Sequence, residues 1–255
     1  MHENIYQWFS SFVKSYYSDD SFIMDNILLK ENHSYRVSKF AEQIACSIDL
    51  CDSDIKLAGL IGLLHDTGRF PQFSQYRTFR DNLSINHAVL GVSTLKKYAI
   101  LNSIPSIDRE IIHTAIFNHN SLHIEEGISD TALTHSRIIR DADKLDIIPI
   151  MLDYYEKRDQ NPNSSLELAF EDTPGYNLEI VERILNSQNV PNSIRVNYND
   201  LKLTQLAWLL DLNFPFSRRY ALDNGFPDKI ASHLPDDSTI HSVIIHVINT
   251  CKKNI

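Results

Sequence analysis

Residues 52–70 read DSDIKLAGLIGLLHDTGRF, and this stretch decides how the chain folds. Asp52, Ser53 and Asp54 can cap a helix N-terminus, a strongly apolar run follows, and Gly68 supplies a stop, so a helix is expected over 52–65. Ala58, Ile61, Gly62 and His65 fall on one stripe of it. The segment therefore carries an imidazole and the next residue's carboxylate, Asp66, to the end of a buried helix and then turns.

The same helical texture extends in both directions. Over 24–49, Val37, Phe40, Ala41, Ile44 and Ile48 recur at three- and four-residue steps, the sign of an amphipathic helix. The aromatic cluster between Tyr6 and Tyr17 is expected to pack a first helix onto the body. Downstream, Ser84 precedes INHAVLGVSTLKKYAIL, and SIDREIIHTAIFNHN follows Pro105 with acidic residues in its first turn. TALTHSRIIRDADKLDIIPIMLDYYEKR reads as a long helix that Pro149 bends or interrupts. Alternating β-branched patterns are scarce, so the fold class is all-α.

After Arg158 the stretch DQNPNSSLELAFEDTPGYN reads as a loop. Shorter helices are expected beyond it, over 178–185, 201–212, 217–224 and 239–252. The expected organisation is a main domain over 1–158 with a C-terminal helical extension, 159–255, packed on it.

Composition narrows the function. With 255 residues and 43% hydrophobic content the chain can fill a core. A net charge of −9 disfavours binding to nucleic-acid polymers, which depends on clustered Lys and Arg; small anionic ligands stay open. Cys46, Cys51 and Cys251 form no CxxC pair and suit a reducing compartment. The N-terminus has no basic start before an apolar run, and no stretch approaches the ~18 apolar residues of a membrane span. A soluble cytoplasmic protein is the expectation.

Eleven histidines is a high count, and their placement is informative. His33 lies four residues before Val37 and continues its apolar face. His119 falls in register with Ile112, Ala115 and Ile116, whereas His113 sits a step off. Asp143 shares a face with Ile139, Ile147 and Ile150. A buried, unpaired carboxylate costs several kcal/mol or takes up a proton. Imidazoles gathered beside two carboxylates suggest a bound cation instead, since these groups are ligands for Zn, Mn, Fe, Co or Ni. The lack of a cysteine pair points from a structural zinc toward an open, catalytic site.

His33, then His65 with Asp66, then Asp143 within IIRDADKLD, is a pattern that resembles the HD-domain metal-dependent phosphohydrolases, over about residues 33–153. The resemblance implies an HD-type helical bundle and one or two divalent metal ions, with Mg added to the metals above. By similarity Asp66 would bridge two metals, His33, His65 and Asp143 would hold the first, and His87 in INHAVLG with His119 in AIFNHN the second. His123, four residues beyond His119, is the nearest rival to it, and Asp141 is a two-residue alternative to Asp143.

Catalytic roles are expected for Asp66, which would orient a metal-activated hydroxide, and for Arg69 and Lys144, which would take up substrate charge. Arg69 reads equally as an ordinary salt bridge, and Lys144 as balance for Asp141 and Asp146. Arg77, Arg80 and Arg140 are weaker candidates. The expected substrate is a small phosphomonoester or phosphodiester, a nucleotide first, and self-association is a further expectation from the resemblance. Two alternatives stay open: an HD-fold diiron oxygenase and a sensor that binds nucleotides without turnover. Cyclic-dinucleotide cleavage is disfavoured, because FNHNSLHIEEG has Asn118 where the first histidine of a His-His pair is expected and lacks the Gly-Tyr-Pro that follows in such relatives.

Overall fold

Every residue from Leu57 to Leu64 is buried, so the helix read from the apolar run is central and surrounded by protein. The computed structural model describes residues 2–253 and 255, and among them it contains helices and no strand. Contacts divide the chain into two compact units, 1–143 and 144–255, which part inside the long helix upstream of Arg158.

The first unit holds α1 (His2–Lys14), α2 (Ser21–Ser47), α3 (Asp52–Leu64), α4 (Arg69–Tyr76), α5 (His87–Lys97), α6 (Ser106–Asn118) and the first half of α7 (Asp130–Lys157). α2 and α3 run antiparallel, as their facing residues show. The Ser38 hydroxyl donates to the Gly59 carbonyl at 2.7 Å. A Cβ on Gly62 would lie 2.7 Å from Ser38 Cα, so the glycine permits the close approach that sets α2 against α3. α1 lays Phe9 and Phe12 edge-on against Phe70, which follows the site residues in sequence.

Two local readings are corrected. Asp52 begins α3 instead of capping it; the cap position is Cys51, which makes no side-chain capping bond. Gly68 is no left-handed stop. Its φ is −69°, it precedes α4, and a Cβ there would stand 2.1 Å from the His87 carbonyl oxygen and 2.6 Å from Gly91 N. The glycine is needed because the start of α5 passes directly against the turn after Asp66.

The second unit contains the end of α7, then α8 (Leu178–Leu185), α9 (Tyr198–Leu210), α10 (Pro215–Asp223), α11 (Phe226–Ala231) and α12 (Ser238–Lys253). α7 continues through Pro149 without interruption. The stretch between α7 and α8 is irregular, as its composition predicts, and Arg158 pins it by ion pairs to Glu167 and Asp172. α11 is a helix that periodicity did not signal. Buried Tyr198 centres this unit, with the Arg158 and Lys202 cations each 4.6 Å from its ring centre. No helix among the described residues is long and apolar enough to cross a membrane.

Candidate metal centre

Four imidazoles stand in a row inside the first unit. His33 and His65 have ring centres 5.2 Å apart, His65 and His119 5.1 Å, and His119 and His87 4.8 Å, each pair edge to face. Four helices supply them: His33 from the middle of α2, His65 at the C-terminal cap of α3, His87 at the start of α5 and His119 at the cap of α6. All four are buried.

Asp66 sits at the centre of the row and is 2% exposed. Its two oxygens face different histidines. Oδ2 lies 3.6 Å from both His33 Nε2 and His65 Nε2. Oδ1 lies 3.5 Å from His87 Nε2 and 3.8 Å from His119 Nε2. Asp143, half-buried on α7, closes the first half of the site, with Oδ1 3.1 Å from His33 Nε2 and 3.8 Å from His65 Nε2. His33, His65 and Asp143 form one donor group within 4.8 Å, and His65, Asp66 and His119 form another.

The Nδ1 atoms show which nitrogens are offered to the centre. His65 Nδ1 donates to the Gly62 carbonyl at 2.7 Å and His119 Nδ1 to the Ile116 carbonyl at 2.6 Å, both to the preceding helical turn. His87 Nδ1 donates to Asp81. In all three rings the proton is therefore on Nδ1 and the lone pair on Nε2, the arrangement typical of metal-ligating histidines. His65 Nε2 is buried with no hydrogen-bond partner. His87 Nε2 and His119 Nε2 point at each other at 2.9 Å.

Two lone pairs face to face at that distance repel unless a cation or a proton lies between them. Burial, with the Arg69 guanidinium second, pushes the His87 imidazole down to about 3, so His87 does not carry such a proton near neutral pH. Two nitrogens each about 2.1 Å from one ion are about 3 Å apart when they subtend a right angle at it and about 3.4 Å apart at a tetrahedral angle, so this spacing fits a shared metal with the two histidines at adjacent octahedral positions. Nitrogen and oxygen donors without sulfur suit a divalent first-row ion.

The carboxylates stay ionised. Burial opposes the charge on Asp66, but the Lys30 ammonium, followed by His65, His119 and Arg69, holds it well below the usual range. His33 and His65 do the same for Asp143. Asp81 is held low, against burial, by His87 and Arg69.

The structure thus brings together His33, His65, Asp66, His87, His119 and Asp143. His119 stands in the cluster, whereas His123 is exposed in the turn beyond it, and Asp143 is the carboxylate of the Asp-Ala-Asp stretch that faces the histidines. Arg69 is nearby and committed: its Nη1 donates to Gln72, the Phe79 carbonyl and Asp81, and its Nε lies 3.5 Å from Asp66 Oδ1. Lys144 is paired with Asp211, donating to its carboxylate and, at 3.3 Å, to its carbonyl. Arg140 donates to the Asn118 and Ser121 carbonyls and so clamps the turn that carries His119. Asn118 braces the same turn, accepting from Glu125 N at 2.9 Å. Arg77 forms an exposed pair with Asp20.

Lys30 and Asp81 escaped the sequence reading. Lys30 lies three residues before His33 and thus on its helical face, but spacing alone does not show that a lysine there is buried. Asp81 opens a single 3-10 turn, Asp81–Leu83, before α5, too short for any periodicity to point inward.

A family model described as HD domain matches residues 31–148, which contain all six clustered residues. No curated protein and no solved structure matched the chain.

Proposed function

Because the chain carries an HD domain over residues 31–148, we propose that it is a metal-dependent phosphohydrolase that cleaves a small phosphorylated molecule, with nucleotides the first substrate class to test. The observation that carries this reading is the division of one buried carboxylate, Asp66, between two histidine pairs. On this reading His33, His65 and Asp143 hold one divalent ion, His87 and His119 a second, and Asp66 serves both. Bound there, such ions supply a Lewis acid for phosphoryl oxygens and a water acidic enough to attack near neutral pH.

The chain's own residues do the positioning. Asp66 would orient the attacking water through the ions it holds, because Lys30 and Arg69 occupy its remaining lone-pair directions. Arg69, close to Asp66 Oδ1, adds positive charge on the side of His87 and His119. Lys144 would contribute only by leaving Asp211. The net charge of −9 agrees with a small substrate and not a polymeric phosphate backbone.

The test is a phosphate-release screen on protein stripped of metal and reloaded separately with Mn, Co, Fe, Ni, Zn or Mg, against phosphomonoesters, phosphodiesters and nucleotides. The expected result is release from at least one class, dependent on added metal. Oxygen consumption by the iron-loaded protein without phosphate release from any substrate would contradict the proposal and favour oxygenase chemistry.

A further inference from the structure

Asp66 is gripped by cations as well as faced by histidines. Lys30 Nζ donates to Oδ2 at 2.7 Å, and Lys30 is only 8% exposed. Its ammonium is 5.4 Å from the centre of the Phe79 ring, and the Arg69 guanidinium carbon is 5.5 Å from the same centre. Phe79 is itself buried, so both cations share one apolar neighbour and one carboxylate.

Burying a lysine is costly unless its charge is paired. A carboxylate offers about four lone-pair directions, two on each oxygen. One bond from Lys30 at Oδ2 and one contact from Arg69 at Oδ1 leave each oxygen a direction toward its own histidine pair. We propose that Lys30 is a positioning residue, which fixes the rotation of the Asp66 carboxylate so that Oδ2 addresses His33 and His65 while Oδ1 addresses His87 and His119. Lys30 reaches the chemistry through Asp66. The inference rests on reading the cluster as a two-metal centre.

The experiment uses the full-length chain, stripped and reloaded with Mn(II) alone, as wild type, Lys30→Met and Lys30→Gln. Met keeps the volume of the side chain without donor or charge, and Gln keeps a donor without charge. Bound Mn per chain, the electron paramagnetic resonance spectrum and the thermal midpoint are measured together. Wild type is expected to bind two Mn(II) with a spin-coupled spectrum, since one carboxylate joins them. In Lys30→Met the second Mn(II) should bind at least ~10-fold more weakly and the coupled signal should give way to that of isolated ions. Lys30→Gln should fall between.

A folded Lys30→Met that keeps both ions and the coupled spectrum overturns the proposal. Should Lys30→Met fail to fold, Lys30→Gln decides: weakened coupling supports the proposal, and an unchanged spectrum overturns it. Wild type that binds one Mn(II) or none also overturns it. Wild type that binds a coupled pair but releases no phosphate from any substrate defeats the phosphohydrolase reading and leaves the role of Lys30 standing.

Discussion

Asp81 accepts the Nδ1 proton of His87, 2.8 Å from one carboxylate oxygen and 2.9 Å from the other, and thereby turns the Nε2 lone pair toward Asp66 and His119. Arg69, Gln72 and Asn120 hold Asp81 in turn. Outer carboxylates of this kind set the tautomer and orientation of a ligand. On the proposed two-metal reading, Asp81→Asn should weaken binding at the His87 and His119 side about 10–100-fold and leave the His33, His65 and Asp143 side intact. Calorimetric titration with Co(II) checks this, and two unchanged binding steps would contradict it.

Gly68 distinguishes sterics from propensity. Its φ and ψ are helical, so backbone propensity alone predicts that alanine is tolerated or stabilising there. The new Cβ would stand 2.1 Å from the His87 carbonyl oxygen, which is backbone and cannot swing aside. Gly68→Ala should therefore cost about 1–3 kcal/mol and displace the start of α5. Urea unfolding measures the cost, and a neutral or stabilising result would refute the close packing described for this turn.

The three cysteines should separate by reactivity. Cys46 and Cys51 are exposed, whereas Cys251 is buried and its thiol is pushed up to about 11 by burial. A thiol reagent at pH 8 should modify two cysteines quickly and the third only on unfolding, because the thiolate is the reactive form. Rapid modification of all three in the native protein would contradict the packing of α12.

Acid should destabilise the metal-free protein. Burial lowers the affinity of His113, His135 and His233 for a proton, so the fold holds them neutral where the unfolded chain would take one up. Below about pH 6.5 the unfolded state binds more protons, and stability falls as pH falls. Glu42, raised by burial, works in the opposite sense as a single group. The urea midpoint of metal-free protein should be lower at pH 5.5 than at pH 7.5, and an equal or higher midpoint would contradict this balance.

Much of this architecture is legible in the sequence. Long apolar periodicities located α2, α3, α5, α6 and α7, because each buries one face or, for α3, every side. The residues drawn into the cluster were also legible, since helical spacing carries His33, His65, His119 and Asp143 inward. What stayed hidden depends on contacts between segments distant in sequence. Gly68 resembles a helix stop until α5 is seen against it. Phe79 lies in the link after α4 and Asp81 opens a single 3-10 turn, and both turn inward for tertiary reasons alone. Lys30 was available in principle, but a lysine on an apolar face reads as solvated unless its buried partner is known. Of the bend or interruption expected at Pro149, the interruption does not occur, since α7 runs on through it.

The most direct test of a metal-dependent hydrolase is elemental analysis of the purified chain and its Asp66→Ala variant, coupled to phosphate release on whichever substrate the screen identifies. Two divalent ions per wild-type chain, with neither full metal content nor turnover in the variant, is the predicted result. Full hydrolysis by a metal-free Asp66→Ala protein would contradict it.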